Sequence, residues 1–275
     1  CQARSTIDRA VRVIALCVLT ILAACSDDIG EVVVAGADAE EPELVAHLAA
    51  LRAAAEANRT SVDARSQLAM AHDVNAFFGA AATTYAQAAA LEPTEFKWPY
   101  LQATALANHG DYLGALEVID RALRIDDEYP GAWIRRGDWL LDIDDHAGAR
   151  SAYQRAAALA SEPATLAAAN VGFARALLRQ DKAAEAARLL EQQVDRFAHP
   201  HVQQVLSEAY LRTGRAEDAR ALRAALADVK QTKLEWPDRI GREKTVHLRG
   251  FSGRMQVAER LLKDGKAEEA LAILS

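Results

Sequence analysis

Arg175 and Arg179 lie four residues apart, so on a helix they present two guanidinium groups on one face. Such a pair suits a carboxylate or an acidic peptide, because the arginine fork matches a carboxylate through parallel hydrogen bonds. Arg212 enlarges this cationic set if its helix lies alongside. Asp138, Asp142 and Glu208 offer a different outcome, a ladder of ion pairs across adjacent helices with little consequence for binding. Both readings stand on sequence alone. His199-Pro200-His201 brings two imidazoles together without a carboxylate or cysteine nearby, and reads as a connecting loop rather than a metal site. Asp142-Ile143-Asp144-Asp145-His146 lacks the spaced ligands and closing glutamate of a calcium loop and reads as a solvated turn. The chain contains no G-x-S-x-G, no phosphate-cradling glycine loop, no H-E-x-x-H and no paired-cysteine metal motif. The expectation is a protein that is not an enzyme, with no cofactor, no metal and no small-molecule substrate.

The elements that must position these residues announce themselves through six alanines, at 81, 115, 149, 186, 219 and 270. Their separations are 34, 34, 37, 33 and 51 residues. With the recurring alanine at position 20 of a 34-residue unit, units begin at Val62, Phe96, Pro130, Ala167, Pro200 and Phe251. Position 8 is small throughout, as Ala69, Ala103, Gly137, Ala174, Ser207 and Ala258, which lets two antiparallel helices approach closely. Position 11 holds His72, Leu106, Leu140, Leu177, Tyr210 and Leu261, and position 24 holds Tyr85, Ile119, Tyr153, Leu190, Arg223 and Leu274. Gly110, Gly214 and Gly265 fall where a first helix ends, and Pro93 follows the second helix of the first unit.

This pattern resembles the tetratricopeptide-repeat family, whose period is 34 residues. Gln102 and Arg136, at a position usually held by leucine, and Arg223 depart from it. The resemblance implies an all-α fold, a right-handed superhelix of about five to six helical hairpins, each burying its apolar face only against its neighbours. It further implies that first helices line a concave face, with positions 5, 9 and 13 among those pointing inward. Those positions carry Tyr100, Thr104 and Asn108, then Ile134, Asp138 and Asp142, then Val171, Arg175 and Arg179, then Gln204, Glu208 and Arg212. Tyr100, Asn108, Asp138, Asp142, Arg175, Arg179, Glu208 and Arg212 are therefore the expected partner-binding residues. The carboxylate-clamp pattern of chaperone-binding members is not matched, because Tyr100, Thr104, Ile134 and Asp138 stand at its positions.

Low glycine and proline content favours helix, and a net charge of −7 disfavours nucleic acid as a partner. Residues 1–24 read as a secretory leader, with Arg4, Arg9 and Arg12 ahead of an apolar run from Val13 to Ala24. That run ends in Leu22-Ala23-Ala24-Cys25, which resembles a bacterial lipobox and implies lipidation of Cys25. Each buried methylene contributes about 0.8 kcal/mol, so several acyl chains hold where one is marginal. A plain signal peptide is the alternative. Ser26 after the cysteine leans toward the outer membrane, with the protein facing the periplasm. Residues 25–41 read as an acidic tether, 42–60 as a capping helix, 61–228 as the repeat array, 229–246 as an insert and 247–275 as a last, truncated repeat. The insert reads either as an array-breaking helix or as a basic, Trp236-bearing loop that meets a partner, and Trp98 as a packing residue. The functional expectation is a lipid-anchored adaptor that binds a protein or peptide segment in its groove, in envelope, pilus or secretion assembly. The alternatives are the N-terminal module of a longer enzyme continuing past Ser275 and a purely structural spacer.

Overall fold

A computed structural model describes residues 29–33, 41–194, 197, 199–227, 234–263 and 265–274. The leader and Cys25 lie outside the described residues, as do most of the acidic stretch and the first part of the insert. Among the described residues every regular element is helical. They are α1 (Pro42–Ala57), α2 (Val62–Val74), α3 (Phe78–Leu91), α4 (Lys97–Asn108), α5 (Tyr112–Ile125), α6 (Pro130–Asp142) and α7 (His146–Leu159). The chain continues with α8 (Pro163–Arg179), α9 (Ala183–Val194), α10 (Pro200–Arg212) and α11 (Ala216–Ala225). Then come the short α12 (Arg239–Glu243), a 3₁₀ turn (Lys244–His247), α13 (Gly250–Lys263) and α14 (Ala267–Leu274). None of these helices is long and apolar enough to cross a membrane.

The recurring alanines sit where two helices of a hairpin meet, and all six are buried, none more than 1% exposed. The turn after each first helix has one backbone geometry in every hairpin. Position 15 adopts a positive φ at Ala76, Gly110, Asp144, Asp181, Gly214 and Gly265. The next residue's N–H then donates back to the position-11 carbonyl, as from Phe77 to His72 and from Asp145 to Leu140, both at 2.8 Å. This is a Schellman closure, which satisfies carbonyls left open at the helix end. Glycine meets the requirement at three of the six turns. The other three use Asp or Ala at a steric cost. Asp111 and Asp145 cap the following helices, their carboxylates accepting from Gly114 and Gly148 N–H at 2.9 Å.

The chain forms two compact units, residues 1–93 with 246–275, and 94–245. In the first unit α1 packs on α2, burying Leu44 and Leu48 against Ala71. Hairpin α2–α3 follows. The α13–α14 hairpin belongs to this unit as well, with α13 packed on α1. Asn75 donates to the His247 carbonyl at 3.0 Å and accepts from the Arg249 N–H at 3.1 Å, while His47 and His247 share a 3.2 Å imidazole contact. Glu41 accepts from the Phe251 N–H at 2.9 Å. Ahead of α1, Gly30 and Glu31 are not simply solvated tether, since their carbonyls accept from Arg65 and Gln87.

The second unit stacks hairpins α4–α5, α6–α7, α8–α9 and α10–α11, with first helices touching in the order α4, α6, α8, α10. Tyr153 fills the seam between α6 and α8. It is fully buried, with Gly137 and Gly172 flanking its ring, and its hydroxyl donates to Asp138 at 2.6 Å.

Candidate functional site

The first helices of the second unit share a face, the groove side, against which the chain's own residues 234–238 pack. This stretch has no helical hydrogen bonds of its own. Leu234 is buried in the apolar cluster of α8 and α10 with Val171 and Val202, and its N–H donates to His201 Nδ1 at 3.4 Å. Two residues on, Trp236 packs against the cluster containing Ile134 and Ala168. Its ring crosses the α6 backbone at Gly131, where a Cβ would stand only 2.7 Å from it. Arg135 covers the same indole, its Cζ 5.3 Å from the ring centroid, within cation–π range.

Asp238 lies two residues further. Its Oδ2 accepts from the Tyr100 hydroxyl at 2.7 Å and from Arg135 Nη2 at 3.5 Å. Its Oδ1 accepts from the Tyr129 hydroxyl at 2.9 Å and, as the N-cap of α12, from the Gly241 N–H at 2.8 Å. Four donors on one carboxylate form a site built for a negative charge. Phe96, Tyr100 and Tyr129 pack around it, with ring centroids 5.3–5.6 Å apart. Burial first, then the adjacent Asp238 carboxylate, pushes the Tyr100 and Tyr129 hydroxyls well above their ordinary pKa, so both stay protonated as donors. Two outer ion pairs, Arg239 with Glu162 and Lys97 with Glu243, follow at the exposed end of the segment.

This arrangement corrects one sequence expectation. Tyr100, expected to face a partner, is fully buried and held by Asp238. The described part of the insert is an extended strap, the five-residue α12 and the start of the 3₁₀ turn. Asp138 and Arg175 do come together, lining a cavity of about 60 Å³ with Trp236 and Leu234. Along α10, Arg212 pairs with Glu208 at 2.7 Å. Arg212 also donates to the Leu178 carbonyl at 2.8 Å, closing the C-terminal end of α8. Asn108, Asp142, Arg175 and Arg179 are exposed, and Arg175 lines the cavity beside Trp236 whereas Asn108 and Asp142 stand at the C-terminal ends of α4 and α6.

His199 Nδ1 accepts from the His201 N–H at 3.1 Å, while the His201 ring accepts from Leu234. Among the described residues no three His, Cys, Asp or Glu side chains converge as metal ligands. Trp98 is buried, with Lys97 Nζ 4.8 Å from its ring. The site residues absent from the sequence expectation are Tyr129, Arg135, Leu234 and Asp238. One signal pointed to them. The stretch Trp236-Pro237-Asp238 joins a proline-restricted, extended residue to an N-cap aspartate inside the segment that breaks the 34-residue period.

No protein-family model and no curated protein matches the chain. Solved structures do match it. One is YrrB, described as a TPR protein with an unusual peptide-binding site, 18% identical, covering 72% of this chain and 98% of its own, with a TM-score of 0.55. A second is pilF of Pseudomonas aeruginosa, 14% identical, covering 76% of this chain and 88% of its own at a TM-score of 0.55. MamA from Desulfovibrio magneticus RS-1 is 21% identical over 61% of this chain and 94% of its own, at 0.56. With consecutive helices pairing as they do here, the chain has the tetratricopeptide-repeat superhelical fold.

Proposed function

We propose that this chain is a non-catalytic interaction scaffold whose second unit holds an extended segment of another protein against its inner face. The observation that carries this reading is that α4, α6, α8 and α10 already recognise an extended stretch of polypeptide through side chains. Extended peptides are bound in this way, with alternate side chains entering pockets. The peptide-binding site named for YrrB supports the same reading by analogy of fold. The lipobox-like Leu22-Ala23-Ala24-Cys25 supports a lipid anchor at Cys25 and a place at a bacterial outer membrane, facing the periplasm, in envelope, pilus or secretion assembly.

A photo-crosslinking amino acid at Arg175, on the groove side, tests partner capture in intact cells. A discrete protein adduct from position 175, absent when the label stands at the exposed Arg124, is the expected result. Identical labelling from both positions contradicts groove capture. Cys25→Ala is expected to move the protein from the membrane fraction to the soluble periplasmic fraction, and unchanged membrane association contradicts the anchor.

A further inference from the structure

Residues 234–238 are bound as a ligand is bound. Leu234 is buried, Glu235 is exposed, Trp236 lies on α6 and Asp238 enters the tyrosine cradle, so every second side chain faces the groove. That alternation is the geometry of an extended peptide. Resting on the adaptor reading above, we infer that Leu234–Asp238 is a built-in copy of the ligand. The groove takes a partner's extended segment of the pattern apolar, any residue, aromatic, proline, aspartate, and releases its own segment to do so.

Three observations favour a partner of that chemistry over a merely apolar one. Tyr100 is wholly enclosed, so when Asp238 leaves, its hydroxyl and that of Tyr129 need another acceptor in place. Leaving such donors unmet is unfavourable, and a carboxylate meets both at once. The guanidinium of Arg135 reaches both the indole and the carboxylate, which ties an aromatic residue to an acid two positions later. A cavity of about 190 Å³ opens beside Trp236, between Tyr129, Thr165 and Pro237, so the aromatic slot has room beyond the residue it now holds.

The internal segment is also held in a way that permits exchange. Its flanking ion pairs are at least partly exposed, and such pairs contribute little. Retention rests on Leu234, Trp236 and Asp238.

The test uses the full chain in detergent and a fluorescent peptide of the sequence Leu234–Ile240, followed by anisotropy. A Trp236→Ala/Asp238→Ala chain, emptied of its own ligand, is expected to bind the peptide at least about tenfold more tightly than the intact chain, because a tethered competitor acts at millimolar effective concentration. A peptide with asparagine in place of its aspartate is expected to bind that opened chain at least about tenfold more weakly, in line with a lost charge-assisted pair. Tyr100→Phe in the opened chain should weaken the parent peptide and leave the asparagine peptide nearly unaffected. An opened chain that keeps its helical circular dichroism and still ignores the peptide, or that binds both peptides equally, overturns the inference. If the double variant loses helical signal, Asp238→Asn alone, which preserves side-chain volume, takes its place under the same criteria. Persistence of the position-175 adduct alongside failed peptide binding would remove the built-in ligand and leave the adaptor reading standing. Loss of both would remove both.

Discussion

The two units bury polar side chains on the same repeat scaffold, yet they meet them with different partners. In the first, Arg65 is fully buried, and its guanidinium donates to the Gln87 side chain and to the main-chain carbonyls of Arg59 at 3.4 Å and Gly30 at 3.5 Å. In the second, Tyr100, Tyr129 and Arg135 converge on the Asp238 carboxylate. Any residue supplies a main-chain carbonyl, whereas only Asp or Glu supplies a carboxylate in mid-chain. Arg65 therefore reads chain path, and the tyrosine cradle reads sequence. The first arrangement is architecture. The second is recognition.

This difference predicts which arginine the fold depends on. Arg65→Ala empties a buried space and leaves three acceptors unmet, for an expected loss of about 3 kcal/mol in urea unfolding of the first unit. Arg135→Ala removes a long, partly exposed contact, and the second unit should lose less than about 1 kcal/mol. The reverse order would break the comparison.

Acid sharpens it next. Burial lowers the His72 pKa to about 4, and burial followed by the Arg249 charge lowers that of His47. Burial followed by the neighbouring His47 and Arg249 lowers that of His247. These groups are depressed below the unfolded value of 6.5, so their stabilisation is full above that pH and is lost as pH falls through the folded values. For His72 the loss between pH 6.5 and 4 is on the order of 3 kcal/mol. His72→Leu should flatten much of that limb and leave the second unit's acid response unchanged, as followed by hydrogen exchange in each unit.

Smaller effects probe the turns and the rim. Ala76 carries a φ of 68° at a turn where three other hairpins use glycine, so Ala76→Gly is expected to stabilise by up to about 1 kcal/mol in thermal unfolding. Arg179→Ala, at an exposed position, should change stability by less than about 0.5 kcal/mol. A loss as large as that of Arg65→Ala would show that the groove rim, too, is architecture.

The scaffold was legible in the sequence because each hairpin is a local object. Small residues at positions 8 and 20 and a stop at position 15 act within 34 residues, and all six position-20 alanines are buried. Where Asp144, Asp181 or Ala76 replaces glycine at position 15, the turn is the same but its marker is missing. The groove's occupancy was not legible. Tyr100 and Asp238 are 138 residues apart, and no repeat register links an inner-face position to a residue outside the repeats. The arginines drew attention for their charge, yet the carboxylate that matters came from within the chain and met tyrosines. Arg212 meets the Glu208 carboxylate, which its sequence spacing offers, and also the Leu178 main-chain carbonyl, which has no sequence signature.

The central claim, that residues 234–238 lie in the second unit's groove through their carboxylate, is tested most directly by a double-mutant cycle. Unfolding of Tyr100→Phe, Asp238→Asn and the double variant against the parent chain measures their coupling without an exogenous ligand. A coupling of about 1–2 kcal/mol is expected for a buried, charge-assisted hydrogen bond. Strictly additive losses would mean that the two side chains do not meet, and that the groove is not held by its own segment.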